Sequence, residues 1–370
     1  MSDSDHLWFT NSAPRTWIAS PPRAKAFHAA LPGYAPTPLV DAPSLAHALG
    51  VGRVLVKDES ARFDLGAFKF LGASWGAFRA LSVDTDYHGP DDLAALRTHL
   101  GGNSGHTLVT ATDGNHGRAV ARTARLLGLP AQIFLPHGVP DAVLSRISAE
   151  NATTTIVDAD YDGAVETAKA YTAAAPGRIH IQDMGWPGYE EIPNWIVEGY
   201  LTLTSEIDDQ VAALGLDGVD LICVPIGNGT FGQAVIEHFR DKKRVRPTEV
   251  LAVEPDTAAC LLASLYAGKI VSVQTGSTIA NGLNCGTPTS TGWPWMRDGL
   301  SAAVAVTETQ LREAIAALAG AGVASGPSGC ASYAGLTAAL TDPARRAALG
   351  ATESSIVVAL STEGPIPGVA

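Results

Sequence analysis

Short runs of β-branched and aliphatic residues recur down this chain, and nearly every one is followed by a segment with helical spacing. The runs 53–57, 107–112, 131–135, 153–157, 178–182, 219–225, 250–254 and 355–360 read as strands. Residues 73–81, 118–127 (closed by Gly128), 142–149, 161–174, 195–213, 231–241, 308–319 and 331–340 read as helices. Strand and helix in alternation need crossover connections, which predicts an α/β fold built on a parallel sheet. Ligands in such sheets lie beyond the carboxyl ends of the strands. Residues 1–50 are Pro-rich and irregular, ending in a short helix around Leu45–Leu49. A Gly- and Asp-rich insertion fills 84–105, and 269–298 reads as a long loop shaped around a site.

At 370 residues the chain is long enough for a large core and two lobes. A net charge of -12 argues against a nucleic-acid surface, because phosphate contacts need clustered Lys and Arg. No apolar run reaches the length of a membrane span. Met1–Asp5 shows no basic region leading into an apolar core, so no leader is expected and a cytoplasmic protein is. The four cysteines, Cys223, Cys260, Cys285 and Cys330, form no C-x-x-C pair. Reduced thiols are therefore expected rather than a metal ribbon; Cys260 and Cys285 alone could approach across a loop.

Four stretches carry chemistry. A helix predicted to begin at about Ala67 places Lys69 in its first turn, where a cation opposes the helix dipole. That location suits an amine that must lose its proton or meet an anion, as a Schiff-base lysine does. A solvated surface lysine is the commoner case. Here Phe68 and Phe70 flank it, and Gly66, Ala67, Gly72, Ala73, Gly76 and Ala77 make the helix one for close packing. Pro225–Gln233 follows the most apolar strand, and its glycines Gly227, Gly229 and Gly232 could let backbone N–H groups curl round an anion at a helix start. It lacks a nucleotide loop's Lys-Ser/Thr, and nothing acidic beyond Glu254 supports a dinucleotide. Alone it reads as a phosphate site or a bare turn.

Thr112–Arg118 is another strand-to-helix junction. Asn115 offers a neutral hydrogen-bonding side chain there, and Asp113 a carboxylate that could move protons if burial raised its pKa. His116 reads as a packing or turn residue more readily than as a base. Leu360–Gly364, after the last strand, offers the hydroxyls of Ser361 and Thr362.

An imine-forming lysine, a glycine nest for one phosphate, an asparagine and a terminal hydroxyl together describe pyridoxal phosphate. Lys57–Ser60 with Phe68-Lys69, Asp113–Gly117, Gly227–Gly232 and Leu360-Ser361 resemble the tryptophan-synthase-type (fold type II) pyridoxal-phosphate enzymes over about residues 30–364. The wording is similar above all to diaminopropionate ammonia-lyase, through Arg62-Phe63, Asp113, Gln182–Trp186 with Gly188-Tyr189, and Ser361–Gly364.

The resemblance implies a two-lobed, three-layer parallel-sheet fold of the tryptophan synthase β type. Its large cofactor-binding domain would be 1–70 with 205–370, and its small mobile domain 71–204. It implies that Lys69 holds the cofactor covalently and Asn115 faces the ring hydroxyl. Gly227, Asn228, Gly229, Thr230 and Gly232 would bind the phosphate, and Ser361 or Thr362 would contact the pyridine nitrogen. Asp113 and Asp183 would be acid/base groups and partners of a second amino group, with no metal. The implied reaction is α,β-elimination of 2,3-diaminopropionate by a homodimer acting on a small amino acid. The alternative is a serine/threonine dehydratase-like or β-replacing enzyme. Two departures bear on the substrate: Glu363-Gly364 runs into Pro365-Ile366-Pro367, and Asp64-Leu65-Gly66 stands where the family has Gly-Leu-Asn.

Overall fold

A computed structural model of the chain describes residues 7–102 and 104–365. The leader reading of Met1–Asp5 and the tail 366–370 lie outside the described residues. Two sheets organise the rest. The larger has seven strands, in the order Trp8–Thr10, Ala302–Val306, Glu249–Pro255, Leu221–Pro225, Ile356–Ser361, Arg53–Asp58 and Leu39–Asp41. Its five inner strands are parallel, and only the two short outer strands pair antiparallel. Leu221–Pro225, Ala302–Val306 and Ile356–Ser361 are buried at every residue, as strands covered on both faces must be. The smaller sheet is wholly parallel, in the order Thr153–Ile156, Ala131–Leu135, Thr107–Ala111 and Arg178–His180. These sheets are the α/β architecture expected from the alternating pattern.

Two compact units divide the chain. One takes the described parts of 1–21, 36–61 and 203–370, and the other 22–35 and 62–202. Residues 22–35 and 62–70 therefore cluster with the smaller sheet.

Several elements differ from the sequence reading. The insertion 84–105 holds a helix, Leu93–Leu100, whose first turn is capped by Asp92 Oδ1 accepting the Ala95 N–H at 2.7 Å. The run 302–306 is a central strand that its alanines conceal, because alanine is depleted in strands. Helices Ala24–Ala29, Cys260–Ala267 and Pro343–Ala348 add to those expected from the spacing. The long helix starts at Glu191, with Pro193 harmless in its first turn. All four cysteines are free thiols. Among the described residues no helix is long and apolar enough to cross a membrane, and no group of three or more His, Cys, Asp or Glu could hold a metal ion.

Candidate active site

Lys69 is the first residue of the helix Lys69–Asp84, which is buried along most of its length from Phe70 to Leu81. The small residues are needed. A Cβ on Gly72 would lie 2.6 Å from the Tyr200 ring and 2.7 Å from Ile196, and one on Gly76 would lie 2.7 Å from Ile196. Gly199 makes the reciprocal approach to Leu71, so glycines on both helices allow close contact. This contact brings Tyr200 to the Lys69 amine.

The turn feeding this helix is strained. Phe63 (φ +51°), Asp64 (φ +57°) and Gly66 (φ +76°) all lie in left-handed backbone, where non-glycine residues cost about 1–3 kcal/mol each. Two guanidiniums hold it: Arg118 donates to the Leu65 carbonyl at 2.8 Å and Arg146 at 3.0 Å. Charged hydrogen bonds of this kind contribute about 1.5–3 kcal/mol each, enough to offset the strain.

Lys69 Nζ donates to Asp183 Oδ2 at 2.6 Å. Burial pulls the amine's pKa down, but the Asp183 charge, Tyr200 and the hydrogen bond outweigh it and hold the ammonium above its ordinary range. Asp113, half-buried in the turn before the helix Asn115–Leu127, adds to the same effect. Burial alone would raise the Asp183 pKa. The His116 ring, the Lys69 charge and the Lys69 hydrogen bond instead hold it below the usual carboxylate range, so Asp183 is a carboxylate and its pair with Lys69 is ionic. His116 Nδ1 lies 3.7 Å from the same Oδ2, and burial lowers its pKa.

Asp183 is fixed from behind. Tyr189 Oη accepts the Gln182 N–H at 2.9 Å and donates to the His180 carbonyl at 2.6 Å, while its ring stacks on Trp186 at 4.3 Å. Gln182 Oε1 accepts from the Thr110 hydroxyl and the Ala111 N–H, each at 3.0 Å, continuing the sheet beyond Arg178–His180 through a side chain. Asn115 opens its helix, three residues before the expected start. Thr112 Oγ1 accepts the Gly114 and Gly117 N–H groups at 2.9 and 3.0 Å and so caps it.

In the larger-sheet unit, the helix Thr230–Phe239 starts at Gly229 (φ +97°) without a side-chain cap at that residue. Asn228 Oδ1 accepts the Thr230 N–H at 3.0 Å, and the Asn228 carbonyl accepts from Thr289 at 2.7 Å. A Cβ on Gly227 would sit 2.8 Å from the Gly282 carbonyl, and one on Gly232 2.6 Å from Ile226. Part of the stretch read as shaped around a site (Gly282, Cys285, Thr289 and Met296) therefore packs on the glycine turn. Ser361 ends the strand beside Leu221–Pro225, fully buried, with its Oγ 2.8 Å from Ser325 Oγ. Thr362 is buried beside it, and Glu363 Oε1 accepts the Ser328 N–H at 2.9 Å. The Gly/Pro/Ser cluster 325–329 that pins this end is a sequence signal for a tight turn.

Each unit by itself supplies donors that suit an aldehyde cofactor with a phosphate: an amine in the smaller-sheet unit, and a glycine-opened helix start and a buried neutral hydroxyl in the larger. Within the smaller-sheet unit Lys69, Asp183 and His116 converge, with Asp113 acting through charge. Within the larger, Ser361 lies on the strand next to the one that ends in the Gly227–Gly232 turn. Tyr200 and His116 are the neighbours that sequence reasoning did not assign.

A profile of the pyridoxal-phosphate dependent enzymes matches residues 30–362. A curated diaminopropionate ammonia-lyase of Salmonella typhimurium is 39% identical over 284 residues, covering 75% of this chain and 70% of that protein. The Escherichia coli K12 diaminopropionate ammonia-lyase is 33% identical over 352 residues, covering 92% and 87%. The crystal structure of diaminopropionate ammonia lyase from Escherichia coli in complex with D-serine superposes with a TM-score of 0.88 at 30% identity, covering 97% of this chain and 94% of that one. With its sheets, its lysine and this match in agreement, the chain belongs to the pyridoxal-phosphate dependent enzymes.

Proposed function

We propose that this chain is a diaminopropionate ammonia-lyase, which converts 2,3-diaminopropionate and water to pyruvate and two molecules of ammonia by α,β-elimination. The curated relatives carry that activity in their names. The observation that carries the reading is Asp183 at 2.6 Å from the Lys69 amine, with Asp113 acting on the same charge. A substrate with a second ammonium group needs a carboxylate partner, and a leaving group that departs as ammonia needs a proton donor.

When bound, pyridoxal phosphate supplies an aldehyde for imine formation and a ring that draws electrons from the substrate's Cα. Lys69 is the covalent attachment point and, once released, a base and proton carrier. Asp183 and Asp113 hold the β-ammonium and move the Cα proton, and either can serve as the base. Gly227, Asn228, Gly229, Thr230 and Gly232 would bind the phosphate through backbone N–H groups of the turn and the Thr230 hydroxyl, the Thr230 N–H itself being held by Asn228 Oδ1. Asn115 faces the ring hydroxyl. Ser361, with Thr362 beside it, would present a neutral hydroxyl rather than an acid to the ring nitrogen, an arrangement that favours elimination. The same reading places the enzyme in the cytoplasm as a homodimer. The larger-sheet unit, close to the expected 1–70 with 205–370, would be the cofactor-binding domain, and the smaller-sheet unit, close to 71–204 but including Lys69, the small mobile one.

A panel of β-substituted amino acids, with pyruvate and ammonia both quantified, tests the reaction. The expected result is two ammonia per pyruvate from 2,3-diaminopropionate and a clear preference for it over serine. Preference for serine overturns the assignment in favour of a dehydratase. Light scattering at twice 38.2 kDa tests the dimer.

A further inference from the structure

His116 has no role in the reaction as described, yet its surroundings are those of a working group. The residue is 4% exposed, and Nε2 lies 2.7 Å from the Ile181 carbonyl. A carbonyl oxygen can only accept, so Nε2 carries the hydrogen and the neutral ring presents a bare Nδ1. That Nδ1 has no hydrogen-bond partner among the described residues and faces Asp183 Oδ2 at 3.7 Å. A lone pair turned toward a buried carboxylate oxygen is an unsatisfied arrangement that one proton resolves. Lys69 occupies the same Oδ2 at 2.6 Å. Lysine and imidazole are thus alternative cations for one carboxylate.

We propose that His116 is a positioning residue for the Asp183 proton: its Nδ1 takes that proton up whenever Lys69 no longer lends Asp183 a positive charge. The inference rests on Asp183 as an acid/base group. In the step, the carboxyl O–H bond breaks and the Nδ1–H bond forms. A neutral pair becomes carboxylate and imidazolium, and Asp183 is ready to accept again. The last torsions of His and Asp side chains are broad, so small rotations close 3.7 Å to a hydrogen bond. Three groups act on the ring. Asp183, on the loop after Arg178–His180, favours its protonation. Lys69 at its helix start and His180 at the strand end oppose it. Lys69 stops opposing it when its amine is neutral or turned away from Asp183.

The test is a 15N NMR titration of histidine-labelled holoenzyme from pH 5 to 9, with the His116 signal assigned by His116→Gln. The expected result is an apparent pKa at least one unit higher in the wild type than in Asp183→Asn, a tenfold change in the protonation equilibrium. Identical titrations, or an Nδ1 that stays bare throughout, overturn the proposal. A second readout is the pH profile of kcat in His116→Gln, whose side-chain amide can keep the Ile181 hydrogen bond but cannot take a proton. We expect kcat to fall roughly tenfold and its acid limb to shift, with KM unchanged. A wild-type profile with kcat within twofold overturns it. Should Asp183→Asn keep full activity, the Asp183 assignment fails, while the titration still decides whether the two groups share a proton.

Discussion

Lys57 and Lys69 lie twelve residues apart, both at the ends of elements where a ligand could be met, and their surroundings are opposites. In the larger-sheet unit, Lys57 is 0% exposed, and its Nζ donates to Glu206 Oε2 at 2.7 Å, the Thr37 carbonyl at 2.8 Å and Gln210 Oε1 at 2.9 Å. Three acceptors satisfy all three donors of an ammonium. In the smaller-sheet unit, the Lys69 side chain is 22% exposed and meets the Asp183 carboxylate and the Tyr200 hydroxyl, groups that can exchange protons. Saturation makes the first lysine a structural tie. Partial exposure beside a carboxylate leaves the second free to change its bonding. Charge and burial alone would have ranked Lys57 first; the number and kind of partners reverses that order.

The contrast breaks first at Lys69. Lys69→Ala should lower pyruvate formation about 10³-fold or more, roughly 4 kcal/mol of transition-state stabilisation, with a smaller stability loss than at Lys57 because His116 stays beside Asp183 as a second cation. The yellow band near about 410–420 nm should be lost with it. Lys57→Ala should do the reverse. It strands Glu206 as a buried uncompensated charge, and denaturant unfolding should show a loss of about 3–5 kcal/mol. A loss below 1 kcal/mol would erase the distinction between the two lysines.

Acid should strain the smaller-sheet unit next. Burial lowers the His180 pKa to about 4, so the folded chain binds fewer protons there than the unfolded chain, whose histidine titrates near its ordinary value of about 6.5. The stability due to neutral His180 is present above that value and is lost as pH falls toward 4. At about 1.4 kcal/mol per unit this amounts to at most about 3 kcal/mol. Unfolding curves of His180→Gln should be flatter across that window, and equal slopes would contradict this origin. The smallest effect is expected at Gly72→Ala, whose methyl group would press on the Tyr200 ring and Ile196. A loss of about 1–3 kcal/mol should be measured, with kcat falling as Tyr200 moves from Lys69.

The architecture was legible because it is local. Ala131–Leu135 and Ala331–Leu340 were read to the residue from composition and spacing. The helix at Asn115 was read three residues late, because Asn-His-Gly is a poor helix start until Thr112 is seen capping it from outside. Ala302–Val306 was missed because its strand character comes from burial between neighbours and not from propensity. The chemistry was legible only in pieces. Lys69 stood out by its place in a helix, but its partner Asp183 is 114 residues away, and nothing in either local sequence states the pairing. His116 reads locally as a turn residue for the same reason, since its value depends on Asp183 and on the Ile181 carbonyl.

The attachment point is the claim on which the rest stands. Borohydride reduction of the holoenzyme fixes an imine as a stable amine, and peptide mass mapping then locates it. One phosphopyridoxyl label is expected, on Lys69. A label on Lys57 or any other lysine, or none at all, would contradict it.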